Sequence, residues 1–209
     1  AQVGTASHWR KLSSLTTHVC GLTDAGSLYC WGDGDSGQLG VSPKGDRLSP
    51  TLVGEPGEWK EVATHGNGSC GIKKDGTRHC WGDAYGPAPL PAQQGTDADW
   101  RSLSAYCAIK SNGTLHCRSN ALGDTTLSQV GTFDDWHSTV GNAYDGNNHQ
   151  CALRGTGELY CWGGFNMHGE LGGATVRNPA LVPDEIPPGA PVVHRRDWRA
   201  VSAPSSHTC

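Results

Sequence analysis

Nine cysteines, ten histidines and scattered aspartates are the residues here whose types can do chemistry. Cys20 and Cys30, Cys70 and Cys80, Cys107 and Cys117, and Cys151 and Cys161 each lie ten positions apart, and Cys209 has no such mate. Zinc sites favour cysteines about two to four residues apart with histidines close by. His18 beside Cys20 and His79 beside Cys80 raise that reading, but the ten-residue spacing favours disulfides. His18, His149 and His207 then read as strand residues satisfied by backbone partners. Asp33-Gly34-Asp35-Ser36-Gly37 offers alternating carboxylates to a hard cation, yet it lacks the later bidentate Glu of a calcium loop and the acids do not recur. A hydrogen-bonded Asp and Gly turn is the better reading. No nucleophile elbow, phosphate loop or HExxH motif occurs, so no catalytic residue, cofactor or metal is expected. Asn67-Gly68-Ser69 and Asn112-Gly113-Thr114 are glycosylation sequons, each near a predicted hairpin, although Asn112 also suits a turn.

Between the paired cysteines a glycine always stands six positions after the first, at Gly26, Gly76, Gly113 and Gly157. It follows turn-formers such as Asp24-Ala25 or Ser111-Asn112. This pattern predicts a three-residue hairpin loop, a type I turn closed by a left-handed glycine. Counting outward from the turn sets Thr23 opposite Ser27, Leu22 opposite Leu28, Gly21 opposite Tyr29 and Cys20 opposite Cys30. If Thr23 and Ser27 close the loop with a hydrogen bond, the cysteines form a non-hydrogen-bonded pair. The Cα atoms of such a pair lie about 4.5 Å apart, within reach of a disulfide. Alternation then places Cys20, Leu22, Leu28 and Cys30 on one face, with Cys151, Leu153, Leu159 and Cys161 repeating the set. The other face pairs a small residue with a ring: Gly21 with Tyr29, Gly71 with His79, Ala108 with His116 and Ala152 with Tyr160.

The hairpins belong to a larger repeat that opens on Trp, an apolar residue three positions on, and a small residue. The copies are Trp9-Leu12-Ser13, Trp59-Val62-Ala63, Trp100-Leu103-Ser104 and Trp198-Val201-Ser202, with Trp136 a degenerate member. Trp-Gly closes three hairpins, at Trp31-Gly32, Trp81-Gly82 and Trp162-Gly163, where the remaining one has Arg118-Ser119. The repeats run over approximately 1–52, 53–93, 94–129 and 130–191, with a partial repeat over 192–209, and form one repeat region over 1–209. Sheets covered on both faces and repeated along the chain predict an all-β fold of propeller blades. The composition agrees, with 30 Gly, 12 Pro and only 17% charged residues. A net charge of -4 and scattered basic residues argue against a nucleic-acid partner, and no apolar run approaches the roughly 20 residues of a membrane helix.

The stretch from His18 to Gly40, HVCGLTDAGSLYCWGDGDSGQLG, resembles the signature of the regulator-of-chromosome-condensation repeat family. It is echoed from His149 to Gly172 and begins again at His207-Thr208-Cys209. The resemblance implies β-propeller blades, usually seven to a ring, and the paired cysteines resemble extracellular members. Four full repeats and the start of a fifth cannot complete such a ring. The expectation is a segment of a longer polypeptide, or a last blade completed by another chain, to which the unpaired Cys209 also points. An Ala1 start suits either signal-peptide removal or a fragment.

The functional expectation is a secreted, extracellular module that binds a protein or glycan partner, copies of itself or further repeats, through variable loops at 41–50, 119–130 and 165–191. Two alternatives follow from the resemblance. One is a nuclear, chromatin-binding nucleotide-exchange propeller, which the paired cysteines and net negative charge argue against. The other is a secreted propeller that inhibits an enzyme.

Overall fold

The computed structural model describes residues 7–86, 89–118, 125–141, 149–155 and 157–163. The partial fifth repeat, Cys209 and the 165–191 loop lie outside them. The chain divides into two compact units, Ala1–Trp100 and Arg101–Cys209. The described elements are strands apart from one 3-10 turn at Asp83–Tyr85, and among the described residues no helix is long and apolar enough to cross a membrane.

Four antiparallel sheets follow one another in chain order, each a meander. Blade 1 contains β1 (Trp9–Ser14), β2 (His18–Thr23), β3 (Leu28–Gly32) and β4 (Arg47–Val53). Blade 2 contains β5 (Trp59–His65), β6 (Gly68–Lys73), β7 (Arg78–Trp81) and β8 (Ala92–Gln93). Blade 3 contains β9 (Trp100–Leu103), β10 (Cys107–Lys110), β11 (Leu115–Arg118) and β12 (Leu127–Gln129). Blade 4 is described by β13 (Trp136–Gly141), β14 (His149–Arg154) and β15 (Leu159–Gly163).

The central hairpins have the register that the turn glycines dictate. Cys20 opposes Cys30, Gly21 opposes Tyr29 and Leu22 opposes Leu28, with the same pairing in the other blades. Thr23 N donates to Ser27 O and Gly26 N to Thr23 O, the bonds that close a three-residue loop. Gly26, Gly76, Gly113 and Gly157 have φ of 89°, 85°, 86° and 80°, the left-handed region that a side chain resists. A Cβ added to Gly113 would also stand 1.8 Å from Asp134 O. Gly113→Ala is therefore expected to cost about 2 kcal/mol or more, measured as a drop in urea midpoint. In all four hairpins the cysteines are joined as disulfides, Cys20–Cys30, Cys70–Cys80, Cys107–Cys117 and Cys151–Cys161, with Cα atoms 4.0 to 4.2 Å apart.

The two sheet faces have different partners. Within the first unit, the disulfide face of blade 1 (Cys20, Leu22, Leu28, Cys30), extended by Leu39 and Val53, packs against Trp59, Val62 and Trp81 of blade 2. In the second unit, Cys107, Ile109, Leu115, Cys117 and Val130 pack against Trp136, Ala152, Tyr160 and Trp162. The disulfide face of one blade thus meets the tryptophan face of the next. Small residues on the second strand make room for the ring: a Cβ at Gly71 would come within 2.6 Å of Trp59. Backbone bonds tie each joint, since Gly26 O accepts from Trp59 N and Gly113 O from Trp136 N.

Candidate interaction surface

The segment between β3 and β4, residues 33–46, holds the end of the family-like signature and the start of the predicted 41–50 loop, and its two parts do different work. Gly37-Gln38-Leu39-Gly40 turns inward. Leu39 is buried in the joint between blades 1 and 2, and Gln38 O accepts from Ser69 Oγ at 3.0 Å and Trp81 Nε1 at 2.9 Å. A Cβ at Gly40 would meet Trp81 Nε1 at 2.8 Å. The signature is therefore a plug between blades, and the exposed surface falls to its flanks.

On one flank, Asp33 Oδ1 accepts from Asp35 N and Asp33 Oδ2 from Thr17 Oγ1. On the other, Asp46 Oδ1 accepts from Gly34 N, and Arg47 donates to the carbonyls of Pro43, Gly45 and Asp46. Oxygens of Asp33, Asp35 and Asp46 lie within 4.8 Å of one another. Backbone amides already engage two of these carboxylates, so the hydrogen-bonded turn accounts for the arrangement. Ser42, Pro43, Lys44 and Asp46 are exposed, and Leu48 is 100% exposed on strand β4. Lys44 Nζ reaches Asp83 Oδ1 of blade 2 at 3.0 Å and anchors the loop. Of the 119–130 loop, residues 125–130 are described, and they include the short strand β12.

Two hairpins bring an acid or amide, a hydroxyl and an imidazole together. Asp75 Oδ1 accepts from Thr77 Oγ1 at 2.6 Å, and Thr77 Oγ1 lies 3.0 Å from His79 Nε2. Asn112, Thr114 and His116 repeat the set. The order is wrong for nucleophilic catalysis, which needs the imidazole between acid and hydroxyl so that it can take the hydroxyl proton. Here the Thr77 proton points to Asp75. Burial followed by the Lys73 charge holds His79 below its usual pKa, and the Thr77 hydroxyl bond depresses Asp75. These sets close turns.

His18 departs from its expected backbone partner. Its Nε2 lies 2.8 Å from Ser69 Oγ, a side chain of the next blade. Ser69 spends its one proton on Gln38 O, so His18 must be the donor, and its Nε2 carries the hydrogen. Burial drives the His18 pKa down to about 4 against a smaller opposing pull from Asp33. In the sequence Ser69 stands out only as a sequon member. The usable signal was its place immediately before Cys70, where a neighbour's disulfide face arrives.

The sequons differ in accessibility. Asn67 is exposed in the tight β5–β6 turn, but Ser69 is fully buried. Asn112 is exposed, and its Oδ1 accepts from Thr114 N and Thr114 Oγ1, leaving the amide nitrogen as the group a glycan would take.

Stapled antiparallel blades meeting disulfide face to tryptophan face define a β-propeller of repeated blades. The regulator of chromosome condensation (RCC1) repeat model matches residues 25–72, which run from the turn of the stapled hairpin of blade 1 into the start of blade 2. Human WBSCR16 superposes with a TM-score of 0.69 at 20% identity, covering 81% of this chain and 51% of its own. Prp20p from Saccharomyces cerevisiae, described with its binding to Gsp1p and histones, gives 0.67 at 17%, covering 84% and 50%. Yeast RCC1 (Prp20) bound to Kap60 gives 0.67 at 17%, covering 87% and 49%. At these identities the likeness concerns the fold, and the chain spans about half the length of these structures. No curated protein matches the chain in sequence.

Proposed function

We propose that this chain is an extracellular, disulfide-stapled recognition module, one continuous repeat region over 1–209, that binds a protein partner through the 41–50 loop. The observation that carries this reading is the burial of cystines inside the blade joints: Cys20 and Cys30 are 0% exposed and belong to the core itself. A core built on cystine calls for an oxidising compartment. The loop supports binding because it combines a fixed base with exposed Lys44, Asp46 and Leu48, a mixed polar and apolar surface. Glycans at Asn67 and Asn112 belong to the same reading. The burial of Ser69 requires that Asn67 be modified before blade 2 closes.

Non-reducing peptide mapping of native material tests the compartment. The expected result is four cystine peptides within the repeats, with glycan mass on the Asn67 or Asn112 peptides. Free thiols throughout would sink the extracellular reading and favour the nuclear exchange-factor alternative. Amine cross-linking of native material tests the surface. Partner cross-links at Lys44 are expected, and partner cross-links confined to Lys60 or Lys74 would move the site elsewhere.

A further inference from the structure

Blade 1 carries a tryptophan face like the other blades, but its cover differs. In blade 2, Trp59 is 1% exposed, Val62 0% and Trp81 1%, because the disulfide face of blade 1 lies over them. At the equivalent positions of blade 1, Leu12 is 61% exposed, and Trp9, Tyr29 and Trp31 are only partly buried. Trp9 packs edge-on to Tyr29 as Trp59 packs to His79, so the face is fully assembled. We propose that it docks the disulfide face of one more repeat of this kind, placed ahead of blade 1 in the same polypeptide. We further propose that Val19 selects a repeat with a small residue where blade 1 has His18.

Both joints within the units indicate this occupant. In each, the covering face belongs to the repeat immediately before in the chain, joined through the short connections 54–58 and 130–135. Among its described residues, a second copy of this chain has no fully open face of this kind to offer. Its last described disulfide face is largely buried, with Cys151 at 0%, Leu153 at 1% and Leu159 at 4% exposure and Cys161 partly buried, and the three earlier disulfide faces are buried as well.

The selectivity rests on the residue just before the first cysteine of each hairpin, which meets the preceding blade. Ser69 occupies that place in blade 2 and satisfies His18. Gln150 occupies it in blade 4, where blade 3 has only Ala105 at the His18 position, and the longer side chain reaches Cys107 Sγ at 3.8 Å. Blade 1 has Val19, which has no side-chain acceptor. A repeat bearing histidine there, as the sequence has at His207, would bury an imidazole against a hydrocarbon and leave its N–H unpaired.

The test extends the full chain. In one protein residues 1–8 are replaced by a second copy of residues 94–135, which carries Ala105 and ends in the connection that normally leads into Trp136. In another they are replaced by a second copy of residues 9–58, which carries His18. Hydroxyl-radical footprinting of the original Trp9 and Leu12 reads docking, with Trp59 as a folding control. The Ala-bearing extension is expected to lower oxidation of Trp9 and Leu12 to the level of Trp59 and Val62. The His-bearing extension is expected to melt about 2–4 °C lower, a gap closed by Val19→Ser in the original blade 1. Oxidation of Leu12 that neither extension reduces would overturn the docking surface. A His-bearing extension that docks and melts alike with and without the Val19→Ser substitution would overturn the selection. Concentration-dependent protection of Leu12 in the unextended chain would give the face to a second copy and likewise overturn the proposal.

Discussion

Trp59→Ala is expected to destabilise the 1–100 unit by about 3–5 kcal/mol in urea unfolding, whereas Trp9→Ala, at the same repeat position, is expected to cost about 1 kcal/mol. The residue type is identical, so the difference lies in burial. Trp59 is sealed between Gly71 beneath it and the Cys20–Cys30 face of blade 1, and its Nε1 donates to Val53 O at 2.9 Å. Removing it opens a cavity in a joint whose backbone is held by Gly26 O and Trp59 N, which limits collapse. Trp9 rests on Gly21 in the same way but is partly open on its other side. Trp59→Phe separates the terms: it keeps most of the ring contact and loses the Val53 bond, for an expected cost of about 1–2 kcal/mol. Equal losses for the two alanine variants would show that the blade joint contributes little, against the packing described above.

This asymmetry bears on what was legible in the sequence. The hairpins were, because a glycine locked at positive φ fixes the loop length, the loop length fixes the register, and the register sets Cys20 opposite Cys30. The first strands were less so. Trp9 and Leu12 are three apart and should fall on opposite faces of a regular strand, yet both lie against Gly21. The cause is a bulge between Trp9 and Lys11, repeated between Trp59 and Glu61 and between Trp136 and Ser138, which inserts one residue and returns the apolar one to the tryptophan face. The outermost strands left almost no signal. Ala92–Gln93 and Leu127–Gln129 are short, largely exposed edges whose conformation comes from pairing with the third strand of their own sheet.

The candidate surface was legible only in part, for a related reason. Composition marks the 41–50 segment as a variable loop, but the division between the inward Gln38-Leu39 plug and the exposed flank depends on a neighbouring blade more than 30 positions away in sequence. A longer separation, 51 positions, hid the His18 partner. A single strand shows that His18 stands beside a cysteine, and only the stacked pair of blades shows that Ser69 Oγ accepts the hydrogen bond from its Nε2–H.

That pairing gives the second large expected effect. His18 is 1% exposed, its Nε2–H is committed to Ser69, and its Nδ1 has no hydrogen-bond partner, so protonation would bury a charge with nothing to meet the new N–H. Its pKa accordingly falls from 6.5 to about 4. Between these values the unfolded chain binds the proton and the folded one does not. Stability is therefore full above about pH 6.5, falls as the pH drops toward 4, and is unaffected by this group below that. Between pH 7 and pH 5 the expected loss is about 2 kcal/mol, rising to about 3 kcal/mol at pH 4, where carboxylates begin to contribute as well. His18→Gln keeps an N–H donor for Ser69 and does not titrate. It should retain most of the pH 7 stability and lose most of the slope between pH 7 and pH 5, read as the shift in urea midpoint. His79 also titrates low, through burial and Lys73, and its weaker contribution should survive in the His18→Gln protein as a residual slope. An unchanged slope in that protein would mean that His18 is not the group whose burial makes the joint acid-sensitive.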